Sequence, residues 1–388
     1  MRRRRDLLPA AYDAAVDLRS LVRPPLRAAE PYDPGPSLTE LRARYGVEKI
    51  AKLNWNEDLF GLLPGVREAI VAEIARAHLY PEQAYSNFRE LIAARVGARP
   101  ETIVPAHGIQ ALVLSTVSLF VSAGERVVIP QPTYGLYRVA AASAGADIVR
   151  VPTAGHRLDL DAMLVAARGA KLVFVCDPNN PTGDVLTRDE WAYFIERLPD
   201  GCVAVVDEAY ADYIAEDERP DRIADVEAGR PVVVLRTFSK LYGIAGLRLG
   251  YAIMHPDLVP SADAVHEPFN VNRLALAAGT ACLADMAVVE KRRKDVAASR
   301  ESFAAALAEI GIGSHPSQAN FVLAHPGGDD QRWYDALMRR GYLVRRGSEY
   351  GLRGQLRITI APSDVMAGMA MAMSEVAEEL GALGAVSQ

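Results

Sequence analysis

The chain has 388 residues, 50% of them hydrophobic and 24% charged, which allows a large core, two domains and an ordinary globular interior. A net charge of −6 excludes broad electrostatic binding to nucleic acid or to an anionic membrane surface. No stretch holds enough uninterrupted apolar residues to cross a bilayer, and Cys176, Cys202 and Cys282 are too far apart for a metal-ligand pattern and suit a reducing cytoplasm.

Arg2-Arg3-Arg4-Arg5 opens the chain. Asp13, Asp17 and Arg19 interrupt the apolar residues behind it, so it reads as a solvated tail and not an export signal. Residues 23–36 are rich in proline and read as an extended arm carrying Tyr32. A helix over 38–45 and a short strand over 49–53 lead to a turn at 56–61. From about residue 62 helices and strands alternate. Helices are expected at 66–78, 86–96, 108–121, 134–144 and 160–167. Short apolar strands are expected at 126–130, 146–151, 171–176, 203–207, 232–237 and 249–253. This alternation predicts a mostly parallel sheet covered on both faces. After Pro268 a long helical stretch over 272–307 gives way to strands near 321–324, 342–345 and 356–360. A closing helix begins near Ser363, its expected N-cap, and stops at Gly381. The expected organisation is an arm at 1–36, a first part of a small α+β domain at 37–61, a large domain at 62–270 and the rest of the small domain at 271–388.

Three polar islands follow strand ends, the place where open parallel sheets bind ligands. They are Asp177-Pro178-Asn179-Asn180-Pro181-Thr182-Gly183, Asp207-Glu208-Ala209-Tyr210 and Thr237-Phe238-Ser239-Lys240, with Arg248 beyond. Alone, Lys240 reads as a loop lysine, Asp207 as a cap and Asn180-Pro181-Thr182-Gly183 as a turn. Together they match what a protein must offer to pyridoxal phosphate. Lys240 is the amine for the cofactor's aldehyde and the carrier of the substrate's Cα proton. Asp207 is the acid beneath the pyridine nitrogen, and Tyr210 and Asn180 reach the ring oxygen. Gly108 stands at the start of an apolar helix, so the N–H groups of Ile109 and Gln110 face an anion; Thr237, Ser239 and Arg248 complete a phosphate cradle.

The order and types of these residues resemble the fold-type I aminotransferases, and within them the histidinol-phosphate aminotransferase group. The resemblance runs from about Pro31 to Leu380. It also rests on Asn56-Glu57, Tyr80-Pro81, Pro132-Thr133-Tyr134 and Leu356-Arg357. It implies an α/β, three-layer fold of the aspartate aminotransferase-like kind, with pyridoxal phosphate as cofactor and no metal. It further implies Tyr134 stacked on the cofactor ring and Tyr80 reaching the phosphate of a neighbouring subunit, in a homodimer with shared sites. Arg357 would hold the substrate's anionic end, and Arg345 and Tyr32 a substrate phosphate. The implied reaction moves an amino group from histidinol phosphate or an aromatic amino acid to a 2-oxo acid such as 2-oxoglutarate, with Lys240, Asp207 and Tyr210 catalytic.

The chain departs from its relatives at Ile109 and Gln110 after the cradle glycine, at Asp58-Leu59 after Asn56-Glu57, and at bulky Trp55 beside the substrate entrance. These departures bear on the donor and leave the cofactor chemistry intact. The same scaffold also serves decarboxylases and lyases of the threonine-phosphate decarboxylase type. A non-catalytic regulator on this fold is a third reading, but the residues before Ser37 leave no room for a winged-helix domain. The seven histidines are scattered with no His-Glu-x-x-His. Lys291-Arg292-Arg293-Lys294 reads as a solvated helix face, and Met366, Met369, Met371 and Met373 as helix packing.

Overall fold

A computed structural model describes residues 17–27 and 35–381. Among these residues the largest sheet has seven strands, in the order Ile103–Ala106, Gly250–Ile253, Val232–Thr237, Val203–Asp207, Ala170–Cys176, Arg126–Gln131 and Asp147–Pro152. The strands share one direction except Gly250–Ile253, which is antiparallel to both neighbours. Successive residues of a strand face opposite sides, and Val232, Val233, Val234 and Leu235 are all buried. Both faces of the central strands are therefore covered, which is why they read as unbroken apolar runs.

A second sheet of four antiparallel strands forms in the order Arg345–Arg346, Leu356–Thr359, Phe321–His325 and Gly313–His315. Ala51–Lys52 pairs in parallel with Tyr342–Leu343, and Leu41 packs with Met338 and Leu343 beside that pair. The segment before residue 61 thus lies against elements from the end of the chain. Ser37 and Glu40 cap the helix Leu38–Tyr45 reciprocally, and Gly46 ends it in the left-handed conformation.

Several expected elements change on folding. The helix from Val66 stops at Ile74, short of residue 78. The one starting near 134 begins at Leu136. The stretch 272–307 is two helices, Arg273–Cys282 and Met286–Glu309; Asp285 breaks it by accepting from the N–H groups of Ala287 and Val288 and capping the second. The strand expected over 342–345 splits between two sheets at Val344. Pro362, not Ser363, holds the N-cap position of the closing helix Ser363–Glu379, and no side chain caps it. In the expected extended arm, Pro24–Arg27 forms a helical turn.

The basic run at 291–294 is only partly a solvated face. Lys291 and Lys294 are exposed, but Arg292 turns inward to pair with the buried Asp58 at 2.9 Å and with the carbonyl of Gly61 at 2.9 Å. That ion pair fastens the turn at 56–61 to the long helix. The three cysteines are buried and free, and no helix among the described residues is long and apolar enough to cross a membrane.

Candidate active site

Three neighbouring parallel strands end side by side, with Cys176 level with Asp207 and Asp207 level with Leu235. Beyond their carboxyl ends lies a cavity of about 410 Å³. On the side of the seven-stranded sheet it is lined by Asn180, Asp207, Tyr210, Ser239, Lys240 and Arg248. Asn54, Trp55, Asn56, Arg345 and Arg357 close it from the other side.

Asp207 lies at the base, 2% exposed. Its Oδ2 accepts from the Tyr137 hydroxyl at 2.6 Å and its Oδ1 from the Ala209 N–H at 3.0 Å. Burial raises its pKa to about 6, against the opposing pull of these two donors and of Lys240. Tyr137 is itself fully buried and stacks on Phe174 at 4.5 Å, so its hydroxyl is fixed. The adjacent Glu208 behaves oppositely. Burial works against its charge, yet Arg236 and Arg222 outweigh that and bring its pKa to about 2. Arg222 donates to Glu208 at 2.8 Å and also to Asp177, and Arg236 donates to Glu208 at 2.7 Å. This closed set of ions ties three strand ends together behind the cavity.

Lys240 projects from the turn after Thr237. Its Nζ donates to the carbonyls of Asn56 at 2.9 Å and Trp55 at 3.3 Å. Burial, reinforced by the positive charge of Arg357, lowers its pKa to about 7. This favours the free amine, the form that attacks a carbonyl, far below the usual lysine range.

Ser239, Gln110 and Arg248 meet at the start of the helix that follows Ala106 and form a cup there. Gly108 opens the helix Gly108–Phe120 with φ of +77°, and no side chain caps the helix. A Cβ at Gly108 would lie 2.9 Å from Arg248 Nη2, and the φ of +77° is one that other residues rarely adopt, so the helix start favours glycine. Arg248 has φ of +59° and donates to the Ala245 carbonyl at 2.9 Å, to Ser239 Oγ at 3.4 Å and to Gln110 Oε1 at 3.4 Å. Thr237 Oγ1 accepts from the Ser239 N–H at 3.1 Å and sets the turn. Ile109, Gln110 and Thr237 also line the cavity.

Tyr210 and Asn180 stand between the base and the mouth. The Tyr210 hydroxyl accepts from Asn56 Nδ2 at 3.0 Å, and burial pushes its pKa up. Asn180 Oδ1 accepts from Arg357 Nη1 at 2.6 Å. The same Nη1 donates to the Tyr350 hydroxyl at 2.8 Å, and Nη2 donates to the Asn54 carbonyl. Arg357 is 4% exposed and has no acidic partner among the contacts described. It is a desolvated cation whose remaining charge calls for an anionic ligand. Arg345 lines the same cavity and pairs with Glu349 at 2.7 Å.

Tyr134 lines the cavity, with its hydroxyl accepting from Gln110 Nε2 at 3.0 Å and its ring edge-on to Tyr137. Tyr80 does not reach the cavity of its own chain. It is 78% exposed and stacks on Phe269 at 4.6 Å. Tyr32 lies outside the described residues. Sequence reading missed Tyr137 and Tyr350, which carry no motif. It also missed the shape of the turn at 54–57, in which Asn56 holds φ of +54° and bonds Thr359 and Tyr210. Asn56-Glu57 and Trp55 were the visible signals there.

This donor set fits pyridoxal phosphate. Asp207 would pair with a basic ring nitrogen, Tyr210 and Asn180 could donate to a ring oxygen, and Lys240, an amine of lowered pKa, could meet an aldehyde. The cup that a Cβ at Gly108 would fill suits a phosphate.

Comparison with known proteins agrees with that fit. The profile of the family aminotransferase class I and II matches residues 48–372. The histidinol-phosphate aminotransferase of Symbiobacterium thermophilum is 40% identical over 343 residues, covering 88% of this chain and 94% of its own. The crystal structure of histidinol-phosphate aminotransferase from Sinorhizobium meliloti in complex with pyridoxal-5'-phosphate superposes with a TM-score of 0.85 at 29% identity. It covers 95% of this chain and all of the other (100%). An L-threonine-O-3-phosphate decarboxylase from Porphyromonas gingivalis superposes with a TM-score of 0.73 at 24% identity, over 85% of this chain and 100% of its own, and shares the fold alone.

Proposed function

The chain belongs to the class I and II aminotransferases, and we propose that within that family it transfers the amino group of histidinol phosphate or an aromatic amino acid to a 2-oxo acid such as 2-oxoglutarate. The observation that carries this reading is the placement of Lys240 Nζ, with its pKa near 7, in one cavity with buried Asp207, the Gly108–Arg248 cup and the desolvated Arg357. Bound pyridoxal phosphate supplies an electron-withdrawing ring that takes up the electron pair left when the substrate Cα loses its proton.

The chain's own groups do the rest. Lys240 Nζ takes that proton from Cα and delivers it one carbon away. Asp207, kept in place by Tyr137 and the Ala209 N–H, holds the proton on the ring nitrogen. Arg357 binds the anionic end of donor and acceptor in turn, which fixes the Cα–H bond in one orientation. Asn180 and Tyr210 position the ring through its oxygen, and Asn56 orients Tyr210. Arg345 takes a second anionic group on the donor.

The functional unit is a homodimer in which Tyr80 completes the neighbour's cup. Its support is the exposure of Tyr80 and of Val71, Ile74 and Leu79, close to it in sequence. The three unpaired thiols support a reducing, cytoplasmic setting.

The test is a donor screen with 2-oxoglutarate, reading glutamate and the keto or aldehyde product. Equal amounts of the two support transfer; carbon dioxide release without glutamate would replace it with decarboxylation. Lys240→Ala should remove both turnover and the absorbance of the protein-bound cofactor aldehyde, and retained turnover would contradict the assignment.

A further inference from the structure

The carbonyl that receives Lys240 also receives a second donor. The Asn56 oxygen accepts from Lys240 Nζ at 2.9 Å and from Asn320 Nδ2 at 3.1 Å. The same Nδ2 donates to the Glu57 carbonyl at 3.3 Å. Carbonyls only accept, so the amide nitrogen of Asn320 faces the turn and its oxygen faces away. Asn320 is 1% exposed and lies behind the residues that line the cavity. It immediately precedes the strand Phe321–His325, and its backbone is pinned on both sides. Its own carbonyl accepts from the Ile360 N–H at 2.8 Å, and the Ala319 carbonyl accepts from the buried Arg300 at 2.9 Å.

This amide is costly to keep. Its Oδ1 is buried and has no hydrogen-bond partner among the described residues. A buried acceptor left unmade destabilises, and an apolar side chain of similar shape would avoid that cost. What the amide contributes instead is control of the turn. A carbonyl oxygen has two lone pairs, and the Asn56 oxygen has two donors. An acceptor shared in this way holds an ammonium less strongly than an unshared one, and it leaves Nζ one direction of approach. The positive end of the amide dipole also lies against the oxygen on which Nζ rests. The lowered pKa of Lys240, due first to burial, is in the same sense.

We propose that Asn320 is a positioning residue for the reacting amine: through the Asn56 and Glu57 carbonyls it fixes the rest position of Lys240 Nζ and keeps Nζ weakly held, ready to exchange partners. The assignment rests on the aminotransferase reading and adds to it a residue from behind the site.

The test uses the full chain freed of cofactor. Pulse acetylation of Lys240 with acetic anhydride, read by peptide mass from about pH 6 to about pH 10, gives the pH midpoint of the amine. Asn320→Leu, similar in shape but without a donor, should raise that midpoint by about one unit. Asn320→Ser, whose hydroxyl stops one atom short of Nδ2, should do the same and serves if the leucine variant does not fold. Thr359→Val is the contrast. Thr359 Oγ1 accepts from the Asn56 N–H at 3.0 Å and donates to Asn56 Oδ1 at 3.0 Å, so its loss loosens the same turn and leaves the Nδ2 bonds in place. Its midpoint should not move. In the holoenzyme the Asn320 variants should lose at least about threefold in kcat with KM within about twofold. A lower thermal midpoint with an unmoved labelling midpoint, or an equal shift in Thr359→Val, makes Asn320 a structural residue only and overturns the proposal. Absence of amino transfer by the wild type with every donor overturns the aminotransferase reading instead and leaves the labelling comparison intact.

Discussion

Replacing Tyr137 with phenylalanine tests whether the acid at the base of the cavity is tuned by its neighbours. The hydroxyl donates to Asp207 Oδ2 at 2.6 Å, and both groups are buried. A hydrogen bond to a charged group is worth about 1.5–3 kcal/mol, and 1.36 kcal/mol corresponds to about one pKa unit. Removing the donor takes that support from the ionised carboxylate. Its pKa, about 6 in the intact protein, should rise by about one to two units. At pH 7 the ionised fraction then falls from about nine-tenths to between about a half and a tenth. A pyridinium nitrogen needs that carboxylate, so the apoenzyme should bind pyridoxal phosphate more weakly at neutral pH. The lower pH midpoint of binding should move upward by the same one to two units. Equilibrium titration of apoenzyme with cofactor from about pH 5.5 to about pH 8.5 measures both quantities. An unchanged Kd with an unchanged midpoint would show that Tyr137 does not set the charge of Asp207.

Two further outcomes test other parts of the molecule. Gly108→Ala places a Cβ 2.9 Å from Arg248 Nη2 on a residue with φ of +77°; it should cost about 1–2 kcal/mol of stability and at least about tenfold in cofactor affinity, read by calorimetry and titration, and unaltered affinity would remove the cup from the phosphate site. Burial, together with the charges of His156, His325 and Arg157, lowers the His315 pKa to about 4 from 6.5, so the folded protein carries it neutral where the unfolded chain takes a proton. The stability it contributes is present above about pH 6.5 and lost as pH falls toward about 4, and His315→Gln should flatten the acid decline in thermal midpoint by the equivalent of about 1–2 kcal/mol after solvent screening. Parallel acid profiles for the two proteins would contradict this.

The parts of the fold that could be read from sequence are those in which local pattern and tertiary environment agree. Val203–Asp207 and Val232–Thr237 are apolar runs that each end on a polar residue, and they fold as central strands with those bounds. Ile103–Ala106 was not visible because Pro105 argues against a strand; it survives as the edge of the sheet, where a missing N–H is tolerated. Arg188–Glu196 did carry a signal, Thr187 followed by Glu190, which the structure uses as a capping box. Lys240, Asp207, Asn180 and Arg248 could be found because they lie at or beyond strand ends, or between two strands, and have chemical types that limit their roles. Tyr137 could not, since it is an aromatic residue inside a helix and reaches Asp207 across seventy positions of sequence only through the stacking order of the sheet. Arg292 was hidden in a run of like charges, and only the burial of Asp58 reveals which of the four turns inward.

The turn at 54–57 holds several connections within four residues. Its first carbonyl meets Arg357, its second and third meet Lys240, and its side chains reach Tyr210 and Lys52. Surface turns usually tolerate changes of length. Here a single inserted or deleted residue between Leu53 and Asp58 would shift every one of these connections out of step at once. This short loop should therefore keep a constant length as the chain diverges.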